Sequence, residues 1–130
     1  MTDDENPGPN RLATGTSVLT LSGELDYDRG DEVSAQVDSA FAARPPVLVV
    51  DLSRVTFADS FALRLLIIAH RRMRTGGGLL VLAGPLTEAV SRLLEATATD
   101  RYFTLAPDLP EAERMAAAFR SPPATDTGPA

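Results

Sequence analysis

Three side chains within one short stretch could do chemistry: Asp59, Ser60 and His70. A carboxylate, a hydroxyl and an imidazole are the parts of a hydrolase triad, whose members must touch through direct hydrogen bonds. The spacing forbids it here. Phe61 to Met73 is densely apolar, with Arg64, Arg71, Arg72 and Arg74 leaving one polar side, which predicts a helix from Ser60 to Arg74. His70 then lies about 15 Å along the axis from Ser60, at about 1.5 Å per residue. It is the only histidine, and it reads as a helix residue with no catalytic role.

Other chemistry is excluded in turn. The chain has no cysteine, which removes disulfides, thiol nucleophiles and cysteine metal sites together. Asp26, Asp28, Asp31 and Glu32 form its acidic cluster, and they read as a solvated helix start whose acids favour the dipole, not as a metal site. Gly76-Gly77-Gly78 lacks the Lys-Ser/Thr of a phosphate loop and precedes a strand, so it is a turn. No catalytic residue, metal or cofactor is expected, and the protein is read as a non-enzyme. The arginines of the helix read as a wet face, with partner binding as the functional alternative.

Ser60 remains, with two readings open. Asp59 or Ser60 is the N-cap of the helix. Alternatively, Ser60 is a phosphorylation switch: a phosphate would stand at the positive end of a helix, which tolerates an anion. It would add about −1.5 to −2 charge beside Asp59, and an acidic or apolar partner surface would be lost.

The elements that must position this stretch follow from periodicity. Val47 to Val50 is a continuous apolar run, as in a strand buried on both faces, and opens a central strand read as Val47 to Leu52; Leu79 to Ala83 is a second such strand. Ser17 to Gly23 is a strand, with a short strand near Arg11–Thr14 before it, and Tyr102 to Leu105 is a short edge strand. Asp28 or Asp31 is expected to cap a helix whose stripe is Val33, Val37, Ala40 and Phe41, stopped by Arg44-Pro45-Pro46. Leu86, Ala89, Val90, Leu93 and Leu94 give a further helical stripe, and Ala112, Met115, Ala116 and Phe119 the last. Strands alternating with helices at this spacing imply a mostly parallel α/β sheet, four- to five-stranded with four helices. Function in such units collects at strand carboxyl ends, and Asp51 to Ser60 is one.

The 130 residues fit one domain. Residues 1–10 and 121–130 are poor in large apolar residues and rich in Pro, Gly and Thr; both are read as disordered tails around a folded 11–120. A net charge of −6 disfavours non-specific nucleic-acid binding. The start is acidic, unlike a signal peptide, and the longest apolar run falls far short of the roughly 20 residues of a membrane span. A cytoplasmic protein is expected, with no membrane partner.

Two segments carry a family resemblance. Leu21-Ser22-Gly23-Glu24-Leu25-Asp26 resembles the Gly-Glu-Leu-Asp turn of STAS domains of the bacterial anti-sigma factor antagonist group. Asp51-Leu52-Ser53 through Val55, Phe57 and Asp59-Ser60 resembles that group's signature loop, whose serine after aspartate accepts phosphate. The resemblance runs from about Thr16 to Phe119. It implies a STAS-like fold and a partner that is both anti-sigma factor and serine kinase. Binding that partner frees a sigma factor, phosphorylation at Ser60 ends binding, and a serine phosphatase resets it. It also implies a partner surface of Asp26, Asp59, Ser60, Phe61, Ala62 and Arg64. The family has Ser or Thr, then Gly, where this chain has Phe61 and Ala62. Ser53 and Thr56 are further hydroxyls, off the signature position. A constitutive binding or scaffold module, with Phe61 as anchor, is the second reading. A small-ligand or nucleotide-binding domain is the third.

Overall fold

The computed structural model describes residues 10–11 and 15–120. The tails assigned to 1–10 and 121–130 therefore lie outside the described residues, apart from Asn10. The elements run β1 Asn10–Arg11, β2 Ser17–Leu25, a 3-10 turn Tyr27–Arg29, α1 Gly30–Ala42, β3 Val47–Ala58 and α2 Ser60–Thr75. They continue with β4 Leu79–Ala83, α3 Glu88–Ala96, β5 Thr104–Ala106 and α4 Leu109–Arg120. Together they form an α/β domain with one five-stranded sheet in the order β1-β2-β3-β4-β5. β1 is antiparallel to β2, and the other pairs are parallel.

This strand order dictates the layers. Each parallel connection steps to the next strand in the same direction, and a right-handed crossover then puts every connecting helix on one face. Leu48, Val50 and Leu52 of β3 meet Val33 and Val37 of α1, Leu63, Leu66 and Met73 of α2, and Val90 and Leu94 of α3 in one core. The other face is left to α4. Its small Ala112 and Ala116 pack against Val47 and Val49 of β3 and Val81 of β4. Both faces of β3 are covered, which is why its sequence is apolar without alternation.

The structure corrects several boundaries. β3 does not end at Leu52. It continues to Ala58, with Gly23 opposite Val55 and Glu24 opposite Phe57, through register shifts at Thr20/Ser22 and Gly23/Glu24. Val55 stays in the core because the extra residues absorb the shift. Such bulges lie in the pairing and leave no local periodicity to read. The short first strand is Asn10–Arg11, and 12–14 of the expected strand lie outside the described residues. Neither Asp28 nor Asp31 caps α1; the Asp26 carboxylate caps the 3-10 turn by accepting from Arg29 N at 3.2 Å. Leu86 precedes α3, and Tyr102 and Phe103 lie in the turn before β5. Among the described residues no helix is long and apolar enough to cross a membrane.

Candidate functional site

Two strand ends meet at Ser60. Asp59 N donates to Leu25 O at 3.3 Å, and Tyr27 N donates to Asp59 Oδ2 at 3.3 Å. The Gly-Glu-Leu-Asp turn and the Asp-Ser loop are thus joined by backbone on one side and a carboxylate on the other. The end of the parallel sheet, where strands stop and helices start, holds them together.

Asp59 settles which residue caps α2. Its Oδ1 accepts from Phe61 N at 2.9 Å and from Ala62 N at 3.2 Å, while Asp59 O accepts from Leu63 N at 3.1 Å. The backbone of Asp59 is extended, as an N-cap requires. Ser60 is the first residue of the helix, exposed, with no hydrogen bond to its hydroxyl among the described residues. The cap needs nothing from it. The amides of Phe61 and Ala62 are already taken by Asp59, so a phosphate on Ser60 would compete with that carboxylate for the helix end.

The two departures from the family pattern have separate structural answers. The ring of Phe61 lies on Gly30 at the start of α1: a Cβ placed on Gly30 would stand 2.5 Å from Phe61 Cζ. Its other neighbour is Tyr27, edge-on with centroids 5.6 Å apart and planes at 81°. Phe61 is therefore half-buried against α1. Ala62 is 2% exposed and belongs to the core. Its side chain cannot form part of a partner surface, because the helix turns that position toward the sheet. Arg64 is exposed one turn along α2 and makes no ion pair among the described residues.

Sequence reasoning did not single out Tyr27, 75% exposed, or Phe57, 45% exposed, as surface aromatics at this end. An aromatic set among acids, as in Asp26-Tyr27-Asp28, was the available signal for the first. The rim is acidic: Glu24, Asp28, Asp31 and Glu32 are exposed, and Asp26 and Asp59 are partly so. Arg29 balances part of it, pairing with Glu32 at 3.1 Å and donating to Ser22 O and Glu24 O at 2.7 and 3.0 Å. That guanidinium, through its hydrogen bond first and its charge second, lowers the Glu32 pKa. Ser53 N donates to Asp51 Oδ1, a local turn within β3; Thr56 is exposed on the same strand. No group of three or more metal-ligating side chains occurs among the described residues.

His70 stands apart from this site. It is 5% exposed, packed on Tyr102 and Phe103 at centroid distances of 4.6 and 5.7 Å, and neither ring nitrogen has a hydrogen-bond partner among the described residues. Burial, and then the charge of Arg74, lower its pKa.

Comparison with known proteins agrees with this architecture. The family model of the STAS domain matches residues 10–112, and the chain belongs to that family. The chain is similar to an anti-sigma factor antagonist from Mycobacterium paratuberculosis at 28% identity and TM-score 0.74, over 84% of this chain and 91% of the other. It shares its fold with the anti-sigma factor antagonist SpoIIAA in unphosphorylated form at 19% identity and TM-score 0.67, over 82% of this chain and 93% of that one. The same holds for the Bacillus cell fate determinant SpoIIAA in phosphorylated form, at 18% identity and TM-score 0.62, over 82% and 96%.

Proposed function

We propose that this STAS-domain protein is an anti-sigma factor antagonist whose binding surface is the acidic end around Ser60, switched off by phosphorylation of Ser60. The observation that carries the reading is the free, exposed Ser60 hydroxyl beside Asp59, which does the capping alone. A serine that is neither a cap nor part of the core is available to a kinase. Similarity to the mycobacterial antagonist supports the role. The solved forms of SpoIIAA support a fold that persists with and without phosphate.

The partner is a serine kinase that is also the anti-sigma factor. The acidic rim fits a basic surface on it, with Tyr27 and Phe57 as the apolar contacts, and Asp26, Asp59, Phe61 and Arg64 bordering Ser60. Phosphorylation adds about −1.5 to −2 charge where the helix amides are already engaged. The bulk and hydration of the phosphate then keep Tyr27 and Phe57 from seating on the partner and release it without unfolding the domain, and a serine phosphatase restores binding. The reaction chemistry belongs to the kinase and the phosphatase; this chain supplies the acceptor and the docking surface. It acts in the cytoplasm and needs no cofactor.

The test is to isolate the partner with the full chain, add Mg-ATP and locate phosphate by mass spectrometry. Phosphate on Ser60 is expected, and Ser60→Asp is expected to weaken binding at least ten-fold, about 1.4 kcal/mol or more. Phosphate only at Ser53 or Thr56, or full binding by Ser60→Asp, refutes the switch.

A second reading, a constitutive docking module, draws on the exposure of Tyr27 and Phe57. It predicts that Tyr27→Ala weakens binding while Ser60→Ala and Ser60→Asp leave it unchanged.

A further inference from the structure

The opposite end of α2 carries a different surface. α1 and α2 both finish there, about 20 Å from Ser60 at about 1.5 Å per residue. Between their ends lies an open groove of about 700 Å³ lined by Phe41, Arg44, Pro45, Arg72, Met73 and Gly77, among others. A shallower depression runs on from it along Ile68, Arg71 and Thr75. We propose that this groove docks an acidic polypeptide segment of a partner protein, independently of the Ser60 surface and of the function assigned to it.

Charge is the first observation. In a chain of net charge −6, three arginines border this groove and its extension: Arg44, Arg71 and Arg72. Arg72 is engaged, 3.1 Å from Asp38 and stacked 3.9 Å over the Phe41 ring. The side chains of Arg44 and Arg71 are exposed and have no hydrogen bond or ion pair among the described residues. Arg72 and Arg74 suit the C-terminal end of a helix dipole. That accounts for cations near the helix end but not for two guanidinium groups at the groove left without a carboxylate.

Backbone conformation is the second, independent observation. Arg44 has φ 51, in the left-handed region that favours glycine or asparagine after a helix. An arginine there is strained, and strain held at an exposed position points to a use for the side chain. The glycine turn beside it keeps the floor low. Gly77 is itself left-handed at φ 80, and at Gly78 a Cβ would meet Pro46 O at 2.7 Å and Met73 Cε at 2.8 Å.

The shape selects among anions. A compact phosphate would sit against two helix C-termini, whose carbonyl dipoles repel it. A peptide instead places carboxylates on the separated arginines of the rim and an apolar side chain on Pro46 and the open part of Phe41. A concave site is a poor match for a flat lipid surface.

The test titrates the full chain with a fluorescein-labelled peptide of glutamates around one central phenylalanine, with a lysine version as control. Saturable binding of the glutamate peptide alone is expected, with amide shifts in 41–46 and 71–78. It is expected to weaken at least ten-fold at about 500 mM salt. The R44E/R71E variant is expected to lose at least ten-fold in affinity with an unchanged melting temperature. Arg44→Gly is expected to lose affinity while melting no lower, which separates binding from folding. Ser60→Asp should leave peptide binding unchanged. Absent binding, equal binding by the double variant, or shifts at the Ser60 end instead would overturn the proposal. So would equimolar displacement by pyrophosphate, equivalent capture by phosphatidylserine vesicles, or tighter peptide binding by D3N/D4N/E5Q. Those three results would reassign the groove to a small anion, to a membrane, or to the chain's own acidic segment.

Discussion

The two ends of α2 solve opposite problems with the same helix. At Ser60 one carboxylate satisfies the helix amides of Phe61 and Ala62, the neighbouring ring is fitted to a glycine, and the surrounding charge is negative. At Thr75 the helix runs into a glycine turn beside Arg44 and Arg71, whose side chains have no partner among the described residues. The first end is held rigid, and one hydroxyl is left over; the second is open and charged. A position spared by the local hydrogen-bond and packing network is therefore the one to read as functional, at either end.

The largest effect that would break this contrast is at Gly30. Adding a methyl in Gly30→Ala drives a Cβ into the Phe61 ring, and overpacking of this kind costs about 1–3 kcal/mol. Chemical denaturation should show the loss, and Phe61→Ala in the same chain should recover part of it; additive losses would mean that the ring and the glycine are not coupled. Asp59→Ala removes the acceptor of Phe61 N, Ala62 N and Tyr27 N and is expected to cost about 1–2 kcal/mol. Ser60→Ala, one residue away, should stay within about 0.5 kcal/mol in the same assay. Equal costs at the two positions would show that Ser60 shares the cap.

Acid should sharpen the comparison from the middle of the helix. His70 is buried neutral with its pKa below the usual 6.5. The unfolded chain binds a proton as pH falls through about 6.5 while the fold resists it, so stability falls with acidity below that point. For one proton the slope is at most about 1.4 kcal/mol per pH unit. Melting curves of His70→Phe should be flatter between pH 5 and about 6.5; an unchanged slope would assign the acid sensitivity elsewhere. The last effect has the opposite sign. Arg44→Gly releases a left-handed arginine and should raise stability by up to about 1 kcal/mol.

Much of this was legible from the chain alone. The apolar runs Val47–Val50 and Leu79–Leu82 gave both central strands. The density from Phe61 to Met73 gave α2, observed as Ser60–Thr75. The distance from Ser60 to His70 removed the triad. The surplus length of β3 was hidden, because its continuation past Leu52 rests on register shifts against β2. The orientation of Phe61 was hidden too. Nothing near it in sequence names Gly30, which lies under its ring only because β2 and β3 run side by side and deliver α1 and α2 from the same sheet end.

The sequence by itself determined the α/β alternation, through periodicity, and the family, through two short motifs, since both signals are local. Which acid caps α2, whether the Ser60 hydroxyl is free, where Phe61 turns and which arginines gather at the far end were decided by the tertiary structure alone. Each is a contact between residues far apart in the chain, or a contest between neighbours for the same amides, and such contacts exist only once the sheet has set the elements side by side.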